Sequence, residues 1–324
     1  MSVGNAILTP TPGDASSRGV SLRLREPGSY GTTIEFEVRE VILRTRSQFQ
    51  DVMVVDTVAY GRVLFLDGIL QSCVADDPLY HDTMIHPAMT LHGAPRRVLV
   101  GGTGEAASVR EVLRHPAVER VLTVDLDDVV VQAVREHLPS FCAGVFEDPR
   151  VEYRVEDVQK TIDEAEDGAF DVIFMDVTDP IDEGPAAELY SVGWFERVAR
   201  ALADDGILVV QSGEMGMQDM LTPRSVRSTL LEVFPWAHVT HQYIPSFHDF
   251  WTWTMASRRD LELYPADLAE RIARLQPPPR VYTAASHHTM LELPPYLADQ
   301  LRKPGKVIRG KASDSIWMYQ PGDS

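Results

Sequence analysis

Two carboxylates follow an apolar run near the middle of the chain. Asp176 and Asp179 come directly after Phe170–Met175, a run with the length and composition of a buried parallel strand. In open α/β sheets the chemistry lies at the carboxyl ends of such strands, so this pair predicts a site for a cationic or proton-donating ligand. The alternative is that Asp179 and Pro180 only end the strand in an ordinary turn.

A glycine-bearing turn comes earlier in the chain. Gly102 and Gly104 follow the apolar run 98–100 and precede a predicted helix near Ser108, a geometry that lets backbone approach a ligand. Asp125 ends the next apolar run about twenty residues later, where a carboxylate can bind ribose hydroxyls. The glycine spacing alone also fits an NAD-dependent oxidoreductase, but no nicotinamide-facing catalytic set accompanies it.

Two further features favour an adenosyl sulfonium ligand over NAD. Glu105 lies inside the turn, where its charge would oppose a pyrophosphate but could hold an ammonium group. Asp157 and Val158 follow the third apolar strand, where methyltransferase-like folds bind adenine. Both acids have a structural alternative, because Glu105 could stabilise the helix N-terminus that follows it and Asp157 could be a helix N-cap.

The elements that must position these residues alternate between strand and helix from residue 97 onward. Five short apolar strands are predicted at 98–100, 121–124, 151–155, 171–175 and 206–210, and helical spacing of apolar residues marks 108–114, 129–137 and 192–202 between them. This alternation predicts an α/β fold with a doubly wound, methyltransferase-like (Rossmann-like) sheet.

The pattern before residue 95 is different. Four stretches alternate polar and apolar residues in the manner of antiparallel strands, at 34–38, 41–45, 51–55 and 62–66. We therefore predict a flexible N-terminus over residues 1–30, a small N-terminal β-strand domain over 31–95, and a Rossmann-like catalytic domain over 96–324.

Composition narrows the classes of partner. The 324 residues include 48 acidic and 30 basic side chains, and the net charge of −18 disfavours nucleic acid and anionic membranes while attracting cations. Cys73 and Cys142 form no CxxC pattern, so we expect no disulfide framework, no metal site and a reducing, cytoplasmic setting. No apolar run is long enough to span a membrane.

Seven short segments, taken in order, resemble the polyamine aminopropyltransferases, the spermidine and thermospermine synthase family. They lie between about residues 47 and 257, and their combined order and spacing are specific although each is short. The segments are 47–50, 66–71, 76–82, 102–106, 124–127, 156–157 and 176–180. Residues 179–190 and 244–253 look most like the thermospermine synthase and aminopropylagmatine synthase branches.

The resemblance implies a reaction. An aminopropyl group passes from decarboxylated S-adenosylmethionine, the co-substrate, to a cationic amine such as putrescine, agmatine or spermidine, and methylthioadenosine is released. Asp176 corresponds to the proton acceptor and Asp179 to the anchor of the acceptor amine. Glu105 and His81 would hold the primary amine of the donor, and Tyr80 would line the amine groove. No tightly bound cofactor is implied.

The same resemblance implies how the nucleoside is bound. Gly102 and Gly104 belong to the nucleotide turn, and the other positions are Gln50 and Asp125 for the nucleoside, Asp157 and Val158 for adenine, and Pro185 for the thioadenosine edge. Family members are commonly homodimers or homotetramers joined partly through the N-terminal β domain, so a homo-oligomer is expected.

Elementary chemistry explains why such a reaction needs a carboxylate. An alkylamine resembles Lys, with a pKa of about 10.4, so only about one molecule in a few thousand is neutral and nucleophilic at pH 7. A carboxylate close to the attacking nitrogen can accept its proton as the N–C bond forms, while a second acid steers the remaining positive charges.

Several positions depart from the family pattern. Thr103 and Ala106 replace glycines that are common in the nucleotide turn, and Phe247 stands where spermidine synthases often carry a tyrosine that contacts the acceptor. The acceptor is therefore open. Two other functions also stay open at this point, an S-adenosylmethionine-dependent methyl- or alkyltransferase on the same fold and a non-catalytic polyamine-binding protein.

Overall fold

The N-terminal part of the protein is a six-stranded antiparallel sheet in which each strand pairs with the next along the chain. The computed structural model describes residues 7–12, 20–28, 31–177, 185–216 and 220–310. The strands are β1 (Ile7–Pro12), β2 (Val20–Pro27), β3 (Thr33–Arg46), β4 (Asp51–Thr57), β5 (Gly61–Leu66) and β6 (Ile69–Cys73).

This sheet differs from the sequence prediction in two respects. The stretches 34–38 and 41–45 are one strand, β3, because no turn former separates them. The pairing of β3 with β4 shifts register beside Glu40 and Leu43, where β3 has residues without a partner on β4. The expectation of a flexible segment over residues 1–30 does not hold for 7–12 and 20–27, which form β1 and β2.

The central strands of the N-terminal sheet bury both faces, since successive side chains point to opposite sides of a strand. Val55 and Phe65 lie in the cluster that contains Leu24 and Phe36, inside the N-terminal domain. Their neighbours Val54 and Leu64 face the other way and join a cluster with α3 (Asp128–His137). This helix follows a strand of the second sheet. The two sheets are therefore joined by a continuous apolar contact.

Over the described ranges, the second sheet has seven strands in the order β12-β13-β11-β10-β7-β8-β9. Its strands are β7 (Arg97–Gly101), β8 (Arg120–Asp125), β9 (Val151–Val155), β10 (Phe170–Met175), β11 (Leu202–Glu214), β12 (Trp236–Ile244) and β13 (Asp249–Ser257). Strands β7 to β11 are parallel, and β13 runs antiparallel to both of its neighbours.

Helices cover both faces of this sheet, which confirms the predicted doubly wound, methyltransferase-like fold. In the described part of the chain, the remaining helices are α1 (Asp77–His92), α2 (Ala107–Val112), α4 (Val158–Glu164), α5 (Val192–Ala201), α6 (Leu221–Leu230), α7 (Leu268–Ala273), α8 (Ala284–Leu291) and α9 (Pro295–Arg302). Val98 and Val100 of β7 pack on the side of α1 and α2, whereas Leu99 between them packs on the side of α5.

The position of α1 moves the expected domain boundary. Its buried residues Met84, Ile85 and Met89 lie in the cluster formed with the second sheet, not with the N-terminal strands. The division suggested by packing therefore falls between Cys73 and Asp77, earlier than the expected residue 95. Among the helices of the described ranges, none is long and apolar enough to cross a membrane.

Candidate active site

The site lies where the order of the parallel strands reverses, between β7 and β10. Met175 pairs with Gly101, and the Asp176 amide donates a hydrogen bond to the Gly101 carbonyl oxygen at 2.9 Å. Gly102 follows with φ +87°, and a Cβ built there would lie 2.1 Å from the Asp176 carbonyl oxygen. Only glycine fits this approach, which brings the glycine turn and Asp176 into direct contact.

Two hydroxyl groups hold the Asp176 carboxylate. Tyr80 on α1 donates to Oδ1 at 2.7 Å, and Ser108 in the first turn of α2 donates to Oδ2 at 3.3 Å. Burial raises the pKa of Asp176 above its ordinary value, although the charge of His81 and these two hydrogen bonds oppose the increase. A carboxylate with a raised pKa is a stronger proton acceptor than an ordinary one. Ser108 is a contact that the sequence pattern did not single out.

Aromatic side chains form a wall beside Asp176. The ring of Tyr80 packs edge to face with Trp253 at 4.9 Å and with Phe247 at 6.0 Å between centroids. Phe247 in turn packs against Trp251 at 4.7 Å. The negative faces of such rings attract alkylammonium groups, so this wall suits a cationic chain.

The turn that carries Phe247 is fastened to the N-terminal region. The Ser246 amide donates to the buried Asp76 carboxylate at 2.7 Å, and the Tyr60 hydroxyl donates to the Pro245 carbonyl oxygen at 2.9 Å. Cys73 Sγ lies 2.8 Å from the other Asp76 oxygen. The site thus depends on Asp76 and Tyr60, whose contribution could not be seen from spacing because their partners lie far along the chain.

His81 and Glu105 face each other on the other side of Asp176. His81 Nδ1 lies 2.8 Å from Asp77 Oδ1, and its Nε2 lies 4.0 Å from Glu105 Oε1. Burial alone would lower the pKa of His81, but the hydrogen bond and charge of Asp77 raise it overall. Burial raises the pKa of Glu105, and the charge of His81 opposes that rise. The two side chains can together accept N–H groups of one primary ammonium.

Asp125 organises the glycine turn at the end of β8. Its Oδ2 accepts from the Gly104 amide at 2.7 Å and its Oδ1 from the Asp127 amide at 2.8 Å, while burial raises its pKa. Each carboxylate oxygen has a further acceptor site, so both could also bind hydroxyl groups. The carboxylate of Asp125 could therefore accept hydrogen bonds from ribose hydroxyls, and this role stays a prediction.

Gln50 reaches this turn from the N-terminal sheet. Its Nε2 donates to Asp127 Oδ2 at 2.9 Å, and Ser47 Oγ donates to the same oxygen at 2.6 Å. Asp127 also caps α3 by accepting from the Val129 amide at 3.1 Å. Gln50 is therefore held against Asp127, two residues after Asp125 in the chain. Its contact with a nucleoside stays a prediction.

Asp157 and Val158 lie at the start of α4. Asp157 is exposed and caps the helix by accepting from the Gln159 amide at 2.9 Å, as the structural alternative expects. Val158 is buried against the turn, since a Cβ on Gly101 would come within 2.8 Å of its Cγ2. An exposed second oxygen of Asp157 is compatible with the adenine role, which stays a prediction.

Two predicted positions cannot be compared with the geometry. Asp179 lies outside the described residues, in the gap between 177 and 185. Pro185 begins the 3₁₀ turn Pro185–Tyr190, but its side chain is also outside the described part. Their roles at the acceptor amine and the thioadenosine edge therefore stay predictions.

The side chains at the two departures in the glycine turn are buried. Thr103 is buried, and its hydroxyl forms a 2.7 Å hydrogen bond with that of Thr123 inside the fold. Ala106 is also buried and has φ +61°, a left-handed conformation that glycine would adopt with less strain.

One buried group among the described residues has the composition of a metal site. Asp82, His86 and Glu111 place potential ligand atoms within 4.8 Å of one another. Arg110 Nε, however, lies 2.9 Å from Glu111, and Arg114 pairs with the same carboxylate. Because two cations already neutralise Glu111, we interpret this group as an ion-pair network that joins α1 to α2.

Two family models match successive parts of the chain. Residues 77–264 match the model of the spermine/spermidine synthase domain, and residues 25–73 match that of the spermidine synthase tetramerisation domain. The second match supports a homo-oligomer. The boundary between the two matches coincides with the division suggested by the packing of α1.

Individual relatives extend the comparison. A polyamine aminopropyltransferase of Aeropyrum pernix is 38% identical over 68% of this chain and 70% of its own length. Polyamine aminopropyltransferase 1 of Hyperthermus butylicus is 37% identical over 84% of this chain and 94% of its own. A crystal structure of spermidine synthase in complex with the transition state analogue AdoDATO superposes with a TM-score of 0.78 at 25% identity, covering 91% of this chain and 97% of that one.

The Rossmann-like sheet, the glycine turn and the carboxylate at the strand switch define a group-transfer enzyme of the methyltransferase-like fold. The chain belongs to the spermine/spermidine synthase family and is an aminopropyltransferase.

Proposed function

We propose that this protein transfers the aminopropyl group of decarboxylated S-adenosylmethionine to a primary amine of a polyamine acceptor, with Asp176 as the proton acceptor. The observation that carries this proposal is the half-buried carboxylate of Asp176, which Tyr80 and Ser108 hold beside the pair formed by His81 and Glu105. Asp176 is placed to accept a proton, and the pair formed by His81 and Glu105 is placed to bind the ammonium group of the donor.

The reaction follows from these positions. The lone pair of the acceptor nitrogen attacks the aminopropyl carbon next to sulfur, the C–S bond breaks, and its electron pair neutralises the sulfonium to give the thioether of methylthioadenosine. The nitrogen becomes positively charged as the N–C bond forms, and its proton passes to Asp176. Holding the nitrogen and carbon in line supplies much of the rate increase by proximity.

The donor is oriented at its two ends. Glu105 and His81 hold its terminal ammonium, while Gln50, Asp125, Asp157, Val158 and Pro185 surround the nucleoside. Glu105 also supports the choice of donor, because intact S-adenosylmethionine would bring a carboxylate toward this acid. Glu105→Gln should therefore increase the binding of intact S-adenosylmethionine relative to the decarboxylated form in calorimetry. Tighter binding of intact S-adenosylmethionine to the wild type would favour methyl transfer instead.

The acceptor lies along the aromatic wall. Tyr80, Phe247 and Trp251 offer ring faces and edges to an alkylammonium chain, and Asp179 is the proposed anchor for its far charge. The acceptors to compare are putrescine, agmatine and spermidine. Mass spectrometry of the products reports which amine gains an aminopropyl unit and at which end.

Replacement of Asp176 tests the mechanism. Asp176→Asn keeps an oxygen that can accept from Tyr80 but removes the base, so kcat should fall roughly 10²- to 10⁴-fold while donor binding is retained. Asp163→Asn, an exposed acid on α4, is the control and should retain full activity. If the wild type binds amines but forms no product, the protein is a polyamine-binding protein, and full activity of Asp176→Asn would remove the proposed base.

Assembly through the N-terminal sheet is part of the same proposal. We expect a homodimer or homotetramer, which light scattering at several protein concentrations would distinguish. A monomer at micromolar concentration would contradict it.

A further inference from the structure

The chain beyond residue 264, outside the matched synthase domain, lies against the helices of the site. The Gln276 amide donates to the Arg114 carbonyl oxygen at 2.9 Å, and Arg114 Nη1 donates to the Pro277 carbonyl oxygen at 2.8 Å. A few residues later, the Val281 amide donates to the buried Asp82 carboxylate at 2.8 Å. Residues 276–282 are therefore fastened on both sides of Arg280.

Arg280 is thereby placed over Asp77. Its Nη2 pairs with Asp77 Oδ2, although its side chain is 49% exposed and that of Asp77 only 5%. Arg110 donates to both oxygens of the same carboxylate, at 2.8 and 3.1 Å. Burial alone would raise the pKa of Asp77, but His81 and Arg110 hold it well below its usual range. Asp77 is thus a charged carboxylate held by two guanidinium groups.

Asp77 in turn determines what His81 presents to the donor. A charged carboxylate only accepts hydrogen bonds, so His81 Nδ1, at 2.8 Å from Asp77 Oδ1, carries a proton. The other ring nitrogen, Nε2, is buried and forms no hydrogen bond within the described residues, and it faces Glu105 at 4.0 Å. When Nε2 is unprotonated it can accept an N–H of the donor ammonium. A protonated ring would repel that ammonium and compete for Glu105.

We propose that Arg280 is a positioning residue for the donor amine: it fixes Asp77 and offsets part of its charge, which limits how far Asp77 favours protonation of His81 and so increases the share of rings that present an unprotonated Nε2 to Glu105. This inference rests on the proposed function of His81 and Glu105. The groups that face His81 are Asp77 on α1, Glu105 in the glycine turn, Arg110 on α2 and Asp176 at the end of β10. The three acids favour protonation of the ring, and Arg110 opposes it.

Titration of His81 by NMR tests the inference without activity. The chain has ten histidines, so the His81 signal is assigned by its loss in His81→Asn. Arg280→Gln should raise the pKa of His81 by about 0.5, because a partly exposed cation near Asp77 is lost. Asp77→Asn should move the pKa in the opposite direction, since the acid that favours protonation is removed. Identical titration in wild type and Arg280→Gln overturns the inference.

Kinetics give a second readout. The Michaelis constant for the donor in Arg280→Gln should rise about threefold below the pKa of His81 and merge with the wild-type value at alkaline pH, with kcat unchanged. Arg280→Lys should restore most of the wild-type profile, since it keeps the charge. Arg274 is an exposed arginine of the same region whose side chain forms no hydrogen bond within the described chain. Arg274→Met should therefore change neither the Michaelis constant for the donor nor kcat. An equal change in Arg274→Met, or a pH-independent loss in Arg280→Gln, overturns the inference.

The two proposals fail in different ways. Absence of aminopropyl transfer by the wild type would contradict the proposed function, whatever the titration of His81. Normal transfer by the wild type with an unchanged His81 titration in Arg280→Gln would contradict only the role of Arg280.

Discussion

The close contact between Gly102 and Asp176 predicts a large effect of the substitution Gly102→Ala on the active site. In Gly102→Ala the new Cβ would lie 2.1 Å from the Asp176 carbonyl oxygen, and Cβ contacts in real proteins essentially never fall below 3.0 Å. The backbone that carries Asp176 must therefore move by about 0.9 Å. The positive φ of +87° adds conformational strain of roughly 1–2 kcal/mol for a residue with a side chain.

A displacement of this size should be seen mainly in catalysis. The Tyr80 to Asp176 hydrogen bond is 2.7 Å long, and moving its acceptor by almost 1 Å takes it beyond normal hydrogen-bond length. Misplacement of a catalytic group by about 1 Å reduces the rate by roughly 10²-fold. We therefore expect kcat of aminopropyl transfer in Gly102→Ala to fall by about that factor, measured by mass spectrometry of the product.

Gly144→Ala separates strain from displacement. Gly144 also has a positive φ, +74°, but among the described residues no atom lies within 4 Å of a Cβ built there. In Gly144→Ala the free energy of unfolding, measured by calorimetry, should fall by a similar amount because of the same backbone strain. Its kcat should stay at the wild-type value. The reasoning is refuted if Gly102→Ala keeps kcat within threefold of wild type, or if Gly144→Ala loses as much activity.

Two further predictions concern pH. The Tyr80 hydrogen bond lowers the pKa of Asp176, so Tyr80→Phe should move the acidic limb of kcat to higher pH, and an unshifted limb would argue against Asp176 as the base. Burial raises the pKa of Glu26 in the N-terminal sheet to about 8, so its contribution to stability is fully present below the unfolded-state value of 4.5 and is lost as pH rises toward 8. Glu26→Gln should therefore raise Tm at pH 9 but not at pH 4.5 in calorimetry, and an equal gain at both values would contradict this explanation.

Local pattern was enough to predict the second sheet and the carboxyl end of its central strand. Apolar runs such as Phe170–Met175 alternate with helical stripes, and a chain of that kind buries its strands on both faces. The same reasoning missed the continuity of β3, because the alternation of polar and apolar residues breaks near Glu40, where the register is irregular although no turn former is present. It also did not predict that α1 packs on the second sheet, since a helix does not show in its own sequence which sheet it will cover.

Residue types and their spacing were enough to identify the side chains that could do chemistry and their order along the chain. Asp125 ends a strand and Asp176 and Gly102 directly follow one, and parallel strands bring their carboxyl ends to one edge. The partners that control these groups became visible only in the folded protein, because the contacts cross long stretches of chain. Tyr80 reaches Asp176 across 96 residues, and Arg280 reaches Asp77 across 203. Such pairs depend on how whole elements pack, and no local pattern records that.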